Sequence, residues 1–323
     1  MEESRHRILT GMASSVLVLD GGMGHELKMR QVHVGMEDQF LELSDFFLPG
    51  AFANRQRPDI VRSVHEEYIK SGAQIITTNN FVVTPYSLGK VGRASELTEL
   101  TESAGKIARE AVDRSGRRVL VAGSLPPLLE SYQVENLGEL EELKTTYFKI
   151  AEALAPYVDV LLCETLSSRL EGRAAAAAAS ASGKPFWVSW TLRDDSSCAL
   201  RSGEPLSEAV ADVADVPGLE SMLVNCCAPS AVSAGIEQLS KCAPPGVAIG
   251  GYANGFQVTT SQWLSGEAAV EAAGESGDFR DGIITEEAYC RHARRWVSLG
   301  ATIVGGCCGI GPSHIRKISE SLA

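Results

Sequence analysis

The sequence is short of positive charge, of long apolar runs and of aromatic residues. Lys and Arg number 29 against 41 Asp and Glu, a formal net charge of −12, and no basic cluster stands out. A nucleic-acid partner needs a concentrated cationic face to neutralise phosphates, so that class is excluded and small-molecule chemistry becomes the default. No apolar stretch approaches the ~20 residues that span a bilayer. The run nearest the start, VLVL at 16–19, is brief and ends in Asp20. No membrane association and no targeting segment are therefore expected, and the expected location is cytoplasmic. The eight cysteines lack the regular spacing of a secreted disulfide framework, so they read as reduced thiols in a reducing compartment. Core-forming residues are not scarce: 44% of the 323 residues are hydrophobic, enough for one large domain or two smaller ones.

What is present is a repeated pattern. Apolar, β-rich runs at 16–19, 75–78, 119–123, 159–163, 186–190, 222–225, 247–251 and 302–306 alternate with helix-like stretches. Those stretches lie at 58–71, 93–114, 136–155, 169–181, 205–214, 231–242, 286–299 and 312–321. Pro58 with Asp59, and Pro312 with Ser313, are start signals for two of them. The alanine tract at 174–179 belongs to a helix, alanine being the best helix former. Eight strands each followed by a helix predict an α/β fold, a (β/α)8 TIM barrel formed as a single domain over 1–323. The Gly-, Ala- and acid-rich segment 261–282 is expected as an inserted loop after the seventh strand, and the residues before Val16 as a lead-in.

In this fold the chemistry gathers at the C-terminal ends of the strands, so the residues just past each strand should face one another. They are Asp20, Gly21 and Gly22; Asn79 and Asn80; Glu164 and Thr165; Asn225 and Cys226; Tyr252, Ala253 and Asn254; and Cys307 and Cys308. Adjacent cysteines make at best a strained disulfide, yet with Gly305, Gly306 and Gly309 around them both sulfurs can reach one metal ion. A zinc site needs at least one more protein ligand, and Cys226 in VNC is the candidate, because strands six and eight are two apart in the ring. Blander roles compete for several positions. Cys163, Cys198, Cys242 and Cys290 read as small core residues, and Cys227 as a non-ligand, although it could supply a fourth thiolate. Asp20 could cap a turn, Glu164 could pair with a base, and Asn79 and Asn80 could bond backbone amides. His65, His292 and His314 are expected on helix surfaces.

The motifs around these residues resemble the zinc-dependent homocysteine S-methyltransferase family, which also contains betaine-dependent and selenocysteine-specific enzymes. They are LDGGMGHEL, GAQIITTN, VAGSLPP, LLCET, VNC and RRWVSLGATIVGGCCG with the following PSHI, and they span nearly the whole chain. The resemblance implies Cys226, Cys307 and Cys308 as Zn2+ ligands and Asp20 and Glu164 as carboxylates near the amino group of a thiol substrate. Gly21, Gly22, Asn79 and Asn225 would line the same substrate site. The implied reaction moves a methyl group from a cationic donor to L-homocysteine, giving methionine. Elementary chemistry agrees: a free thiol with pKa of about 8.5 is mostly protonated at neutral pH, and a zinc ion with three thiolates and one open position corrects that.

Some segments depart from the family pattern. Many relatives read YPNSGE where this chain reads YANGFQ at 252–257, and the tryptophan of their first barrel loop has Phe46 and Phe47 as its nearest counterparts. The VAGSLPP form of the third strand resembles a branch separate from the betaine enzymes. That favours a sulfonium donor, S-methylmethionine or S-adenosylmethionine. Within the enzyme class the alternative is a selenocysteine or other thiol or selenol acceptor. Outside it, the alternative is a non-catalytic zinc or redox-sensing barrel whose vicinal thiols oxidise reversibly.

Overall fold

Apolar residues alternate between the two faces of each strand, and that alternation sorts the core into two parts. The computed structural model describes residues 16–30, 48–195, 197–260, 262 and 277–322. In chain order the strands are β1 (Leu17–Val18), β2 (Ile75–Thr77), β3 (Leu120–Leu125), β4 (Val160–Leu166), β5 (Phe186–Trp190), β6 (Leu219–Asn225) and β7 (Ala248–Ala253). A small antiparallel pair, β8 (Phe279–Arg280) and β9 (Ile283–Ile284), precedes β10 (Ile303–Gly306). Eight of them form one parallel sheet in the order β1-β10-β7-β6-β5-β4-β3-β2. The sheet closes on itself: Leu19 bridges Ile75 in parallel, and the Gln74 N–H donates to the Val18 carbonyl at 2.7 Å. The expected (β/α)8 barrel is the fold.

Leu17, Leu19, Ile75, Ala122, Val160, Leu162, Trp187, Leu223, Tyr252 and Ile303 fill the barrel interior as one buried cluster. Their strand neighbours, among them Val18, Ile76, Val121, Leu161, Cys163, Val188 and Val224, face the other way and pack under the helices. The helices are Pro58–Lys70, Leu97–Ser115, Leu140–Leu154, Arg169–Ala181, Leu206–Val213, Pro229–Cys242, Glu286–Ser298 and Pro312–Leu322, within a few residues of the expected stretches. Side-chain caps fix the starts of two of them: the Ser168 hydroxyl accepts from the Glu171 N–H at 3.2 Å, and the Thr285 hydroxyl from the Ala288 N–H at 3.3 Å.

Three short helices were not expected, Met23–Met29, Leu48–Gln56 and Pro85–Gly89. Glycine and proline dilute their patterns, and tertiary packing of residues such as Leu48, Ala51 and Phe52 holds them. The histidine expectation is corrected at two positions. His65 and His314 are buried, not on the surface; His314 Nε2 lies 2.8 Å from the Ile284 carbonyl. His65 has no hydrogen-bond partner for either ring nitrogen among the described residues, and burial holds its pKa down at about 3, so it is a neutral core residue. The expected lead-in, Phe46 and Phe47, and the expected insertion apart from 262 and 277–282 lie outside the described residues. Among the described residues no helix is long and apolar enough to cross a membrane.

Candidate metal centre

Cys226 follows the last residue of β6 and adopts a left-handed backbone, φ 56°, which ends the strand. Its N–H donates to the Tyr252 carbonyl of β7 at 3.1 Å, and the Thr191 hydroxyl donates to its carbonyl at 3.2 Å. On the other side of β7, the Cys307 N–H donates to the Ala253 carbonyl at 2.9 Å and the Gly255 N–H to the Cys308 carbonyl at 2.8 Å. One strand therefore sets the separation of both sulfur-bearing loops. The first barrel loop locks against them. A Cβ on Gly21 would stand 2.1 Å from the Ile310 carbonyl oxygen, and one on Gly22 would stand 2.8 Å from that of Cys307, so only glycine permits this approach.

The Sγ atoms of Cys226, Cys307 and Cys308 lie within 4.8 Å of one another, the one metal-ligating cluster of His, Cys, Asp and Glu side chains among the described residues. Thiolates at about 2.3 Å from a tetrahedral zinc are about 3.8 Å apart, so the donor set fits that ion with little movement. Cys226 is pulled well below the usual thiol range, first by hydrogen bonds from Cys307 and Cys308, whose own thiols are pushed up by the same contacts. Three hydrogen-bonded cysteine sulfurs this close form an arrangement that a cation completes by displacing thiol protons. Cys227 is different: it packs in the outer core, and burial pushes its thiol up to about 12. It is not part of the cluster.

Two residues above the apolar interior layer, the same strand faces carry polar groups. Thr77, Ser124, Glu164, Ser189 and Asn225 each follow an interior residue by two positions, namely Ile75, Ala122, Leu162, Trp187 and Leu223. Glu164 is buried, accepts from the Ser124 hydroxyl at 2.6 Å and the Tyr252 hydroxyl at 3.1 Å, and is pushed up to about 7 by burial. The charge on Cys226 raises it further against those hydrogen bonds. Asp20 is buried too, accepts from the Thr77 N–H at 2.8 Å and its hydroxyl at 3.1 Å, and is pushed up to about 8, chiefly by burial and also by Glu164. Neither carboxylate has a basic side chain as its hydrogen-bond partner among these contacts. Two buried acids with no basic hydrogen-bond partner, next to the sulfur cluster, form a place that a cationic group of a ligand would complete.

The other expected site residues are placed as follows. Asn225 accepts from the Thr165 N–H at 3.0 Å and the Ser189 hydroxyl at 2.7 Å, and donates to the Thr165 hydroxyl at 2.8 Å, so its amide ties β4, β5 and β6 together beneath Cys226. Asn79 donates to the Gly50 carbonyl and to the Asn54 side chain, both at 2.9 Å, and thereby anchors the helix Leu48–Gln56. Sequence reasoning missed Ser124 and Thr77, which period-two counting from the interior residues would have found. It also missed Tyr132, whose hydroxyl lies 3.1 Å from Cys226 Sγ and which carries no sequence signal of its own. In the altered seventh-strand motif, Phe256 sets its ring edge-on to His25, centroids 5.5 Å apart.

Comparison with known proteins points the same way. The sequence profile described as homocysteine S-methyltransferase matches residues 17–322. Homocysteine S-methyltransferase 4 of Zea mays is 27% identical, over 96% of this chain and 90% of that protein. The homocysteine S-methyltransferase of Escherichia coli K12 is 26% identical, over 94% of each. The crystal structure of the E. coli homocysteine methyltransferase MmuM in its metallated form superposes with a TM-score of 0.76 at 25% identity, covering 98% of this chain and 99% of that one. With the profile spanning the whole described barrel and the cysteine cluster at its mouth, the chain belongs to the homocysteine S-methyltransferase family.

Proposed function

We propose that the protein is a zinc-dependent methyltransferase that moves a methyl group from a sulfonium donor, S-methylmethionine or S-adenosylmethionine, to the thiol of L-homocysteine, giving methionine. The observation that carries this reading is the pairing of three clustered thiols with two buried carboxylates in one barrel mouth. Cys226, Cys307 and Cys308 would hold the zinc. Zinc bound there would act as a Lewis acid that keeps the substrate sulfur a thiolate at neutral pH.

The protein's own groups do the rest. Glu164, oriented by the Ser124 and Tyr252 hydroxyls, and Asp20, oriented by Thr77, receive the substrate ammonium and give up their protons as the cation arrives. That pairing fixes the line of the sulfur. The substrate sulfur then forms a bond to the methyl carbon while the carbon–sulfur bond of the donor breaks, its electron pair returning to the donor sulfur. A thiolate and a sulfonium become two neutral thioethers, so no general base on the methyl carbon is needed. The buried acids argue against a sensor of thiol oxidation, which has no use for them.

The test is methyl transfer to homocysteine by metal-quantified protein, offered S-methylmethionine, S-adenosylmethionine or betaine in parallel. Methionine should form with a sulfonium donor and not with betaine, and Cys307→Ala should lose both zinc and turnover. Absence of methionine with every donor, at one zinc per chain, would contradict the reading.

A further inference from the structure

The loops after β3 and β5 meet at the loop that carries Cys226. Tyr132, in the loop after β3, has a left-handed backbone, φ 69°, and places its hydroxyl 3.1 Å from Cys226 Sγ and 3.4 Å from the Cys226 carbonyl. The Arg201 guanidinium carbon stands 5.1 Å from the centre of the Tyr132 ring. Arg201 Nη1 pairs with Asp194 Oδ2 at 3.1 Å, and the two side chains are 5% and 2% exposed. The other oxygen of Asp194 accepts from the Ala228 N–H at 2.7 Å, two residues past Cys226. Desolvation offsets much of the attraction in a buried ion pair, so the pair is weak evidence of added stability. Here it fixes a cation behind an aromatic ring whose hydroxyl meets a sulfur.

We infer that Tyr132 is a positioning residue for the metal site: its hydroxyl donates to the Cys226 thiolate, and the Asp194–Arg201 pair holds the ring in place to do so. The direction of the bond follows from chemistry, since a thiolate can only accept and a tyrosine hydroxyl is its natural donor. The bond engages one sulfur lone pair, leaving Cys226 aimed at the metal by another. It also draws electron density from that ligand, so the protein's own sulfur becomes a poorer nucleophile than an incoming substrate thiolate. Groups that hold a metal ligand by hydrogen bonding typically change metal affinity by about 10–100-fold when removed.

This inference rests on the zinc reading of the three cysteines, and the experiment separates the two. Zinc affinity is measured by chelator competition for the parent protein and for Tyr132→Phe, which keeps the ring and deletes only the hydroxyl. The sulfur-to-cobalt charge-transfer band of the cobalt-loaded proteins is recorded alongside, with the thermal midpoint of each metal-free form. The expected result is a loss of zinc affinity of about tenfold or more, a charge-transfer band moved to longer wavelength, and an unchanged metal-free midpoint. An affinity within twofold of the parent, or a loss of affinity with the band unmoved, overturns the role given to Tyr132 and leaves the zinc site standing. Failure of the parent protein to bind either metal overturns both.

Discussion

Asp20 and Glu164 are ionisable groups placed where ionisation is unfavourable. Asp20 goes from an ordinary 3.8 to about 8, and Glu164 from 4.5 to about 7, burial being the main cause in each. Because the folded chain holds these protons more tightly than the unfolded chain, the fold loses stability as pH rises from the ordinary carboxylate range through those values. Asp20→Asn removes the ionisation, so its thermal midpoint at pH 8 should equal or exceed that of the parent, while methyl transfer falls steeply; a destabilised variant would contradict the burial argument. The same acids are needed as anions to hold an ammonium. Accordingly kcat/KM for homocysteine should rise with pH through about 7 and about 8, and Glu164→Gln should raise KM with zinc content unchanged. Glu164 was legible in the sequence because it directly follows the apolar run 159–163. Tyr132 was not, because a loop residue reaches its partner 94 positions away only through the fold.

The elements divide along the same line. The barrel strands show in the sequence because each is a short β-branched or apolar run, most of them bounded by glycine, asparagine or acid, and the expected helices show because their apolar faces recur at helical spacing. The helices Met23–Met29, Leu48–Gln56 and Pro85–Gly89 do not, since tertiary contacts hold them. Asn79 illustrates the consequence: expected at the substrate, its amide holds Gly50 and Asn54 of one such helix. Asn225 was placed in the right layer, and its observed contacts join β4, β5 and β6. Asn225→Leu strands the Thr165 N–H and the Ser189 hydroxyl in the core, each loss worth about 1–3 kcal/mol. Urea unfolding should report a drop of that order and chelator competition a weaker zinc site; unaltered stability would mean that the amide is dispensable. By contrast, Cys227→Ala should leave zinc stoichiometry intact, because Cys227 packs in the outer core.

At the scale of the whole molecule, the barrel brings residues from the first to the last strand into one mouth, and the chain as a whole carries a formal net charge of −12. A field of that sign gathers cations, and salt screens it over about 10 Å at 0.1 M ionic strength. The kcat/KM for a sulfonium donor should therefore fall with added salt, more steeply than any residual rate with zwitterionic betaine; equal slopes would remove the field from the account. The central claim is that three cysteines hold one zinc with a place left for the substrate sulfur. X-ray absorption at the zinc edge, with and without homocysteine, tests it most directly. The account predicts three sulfur neighbours in the free protein and four once homocysteine is added, whereas a sulfur count that homocysteine does not change would contradict it.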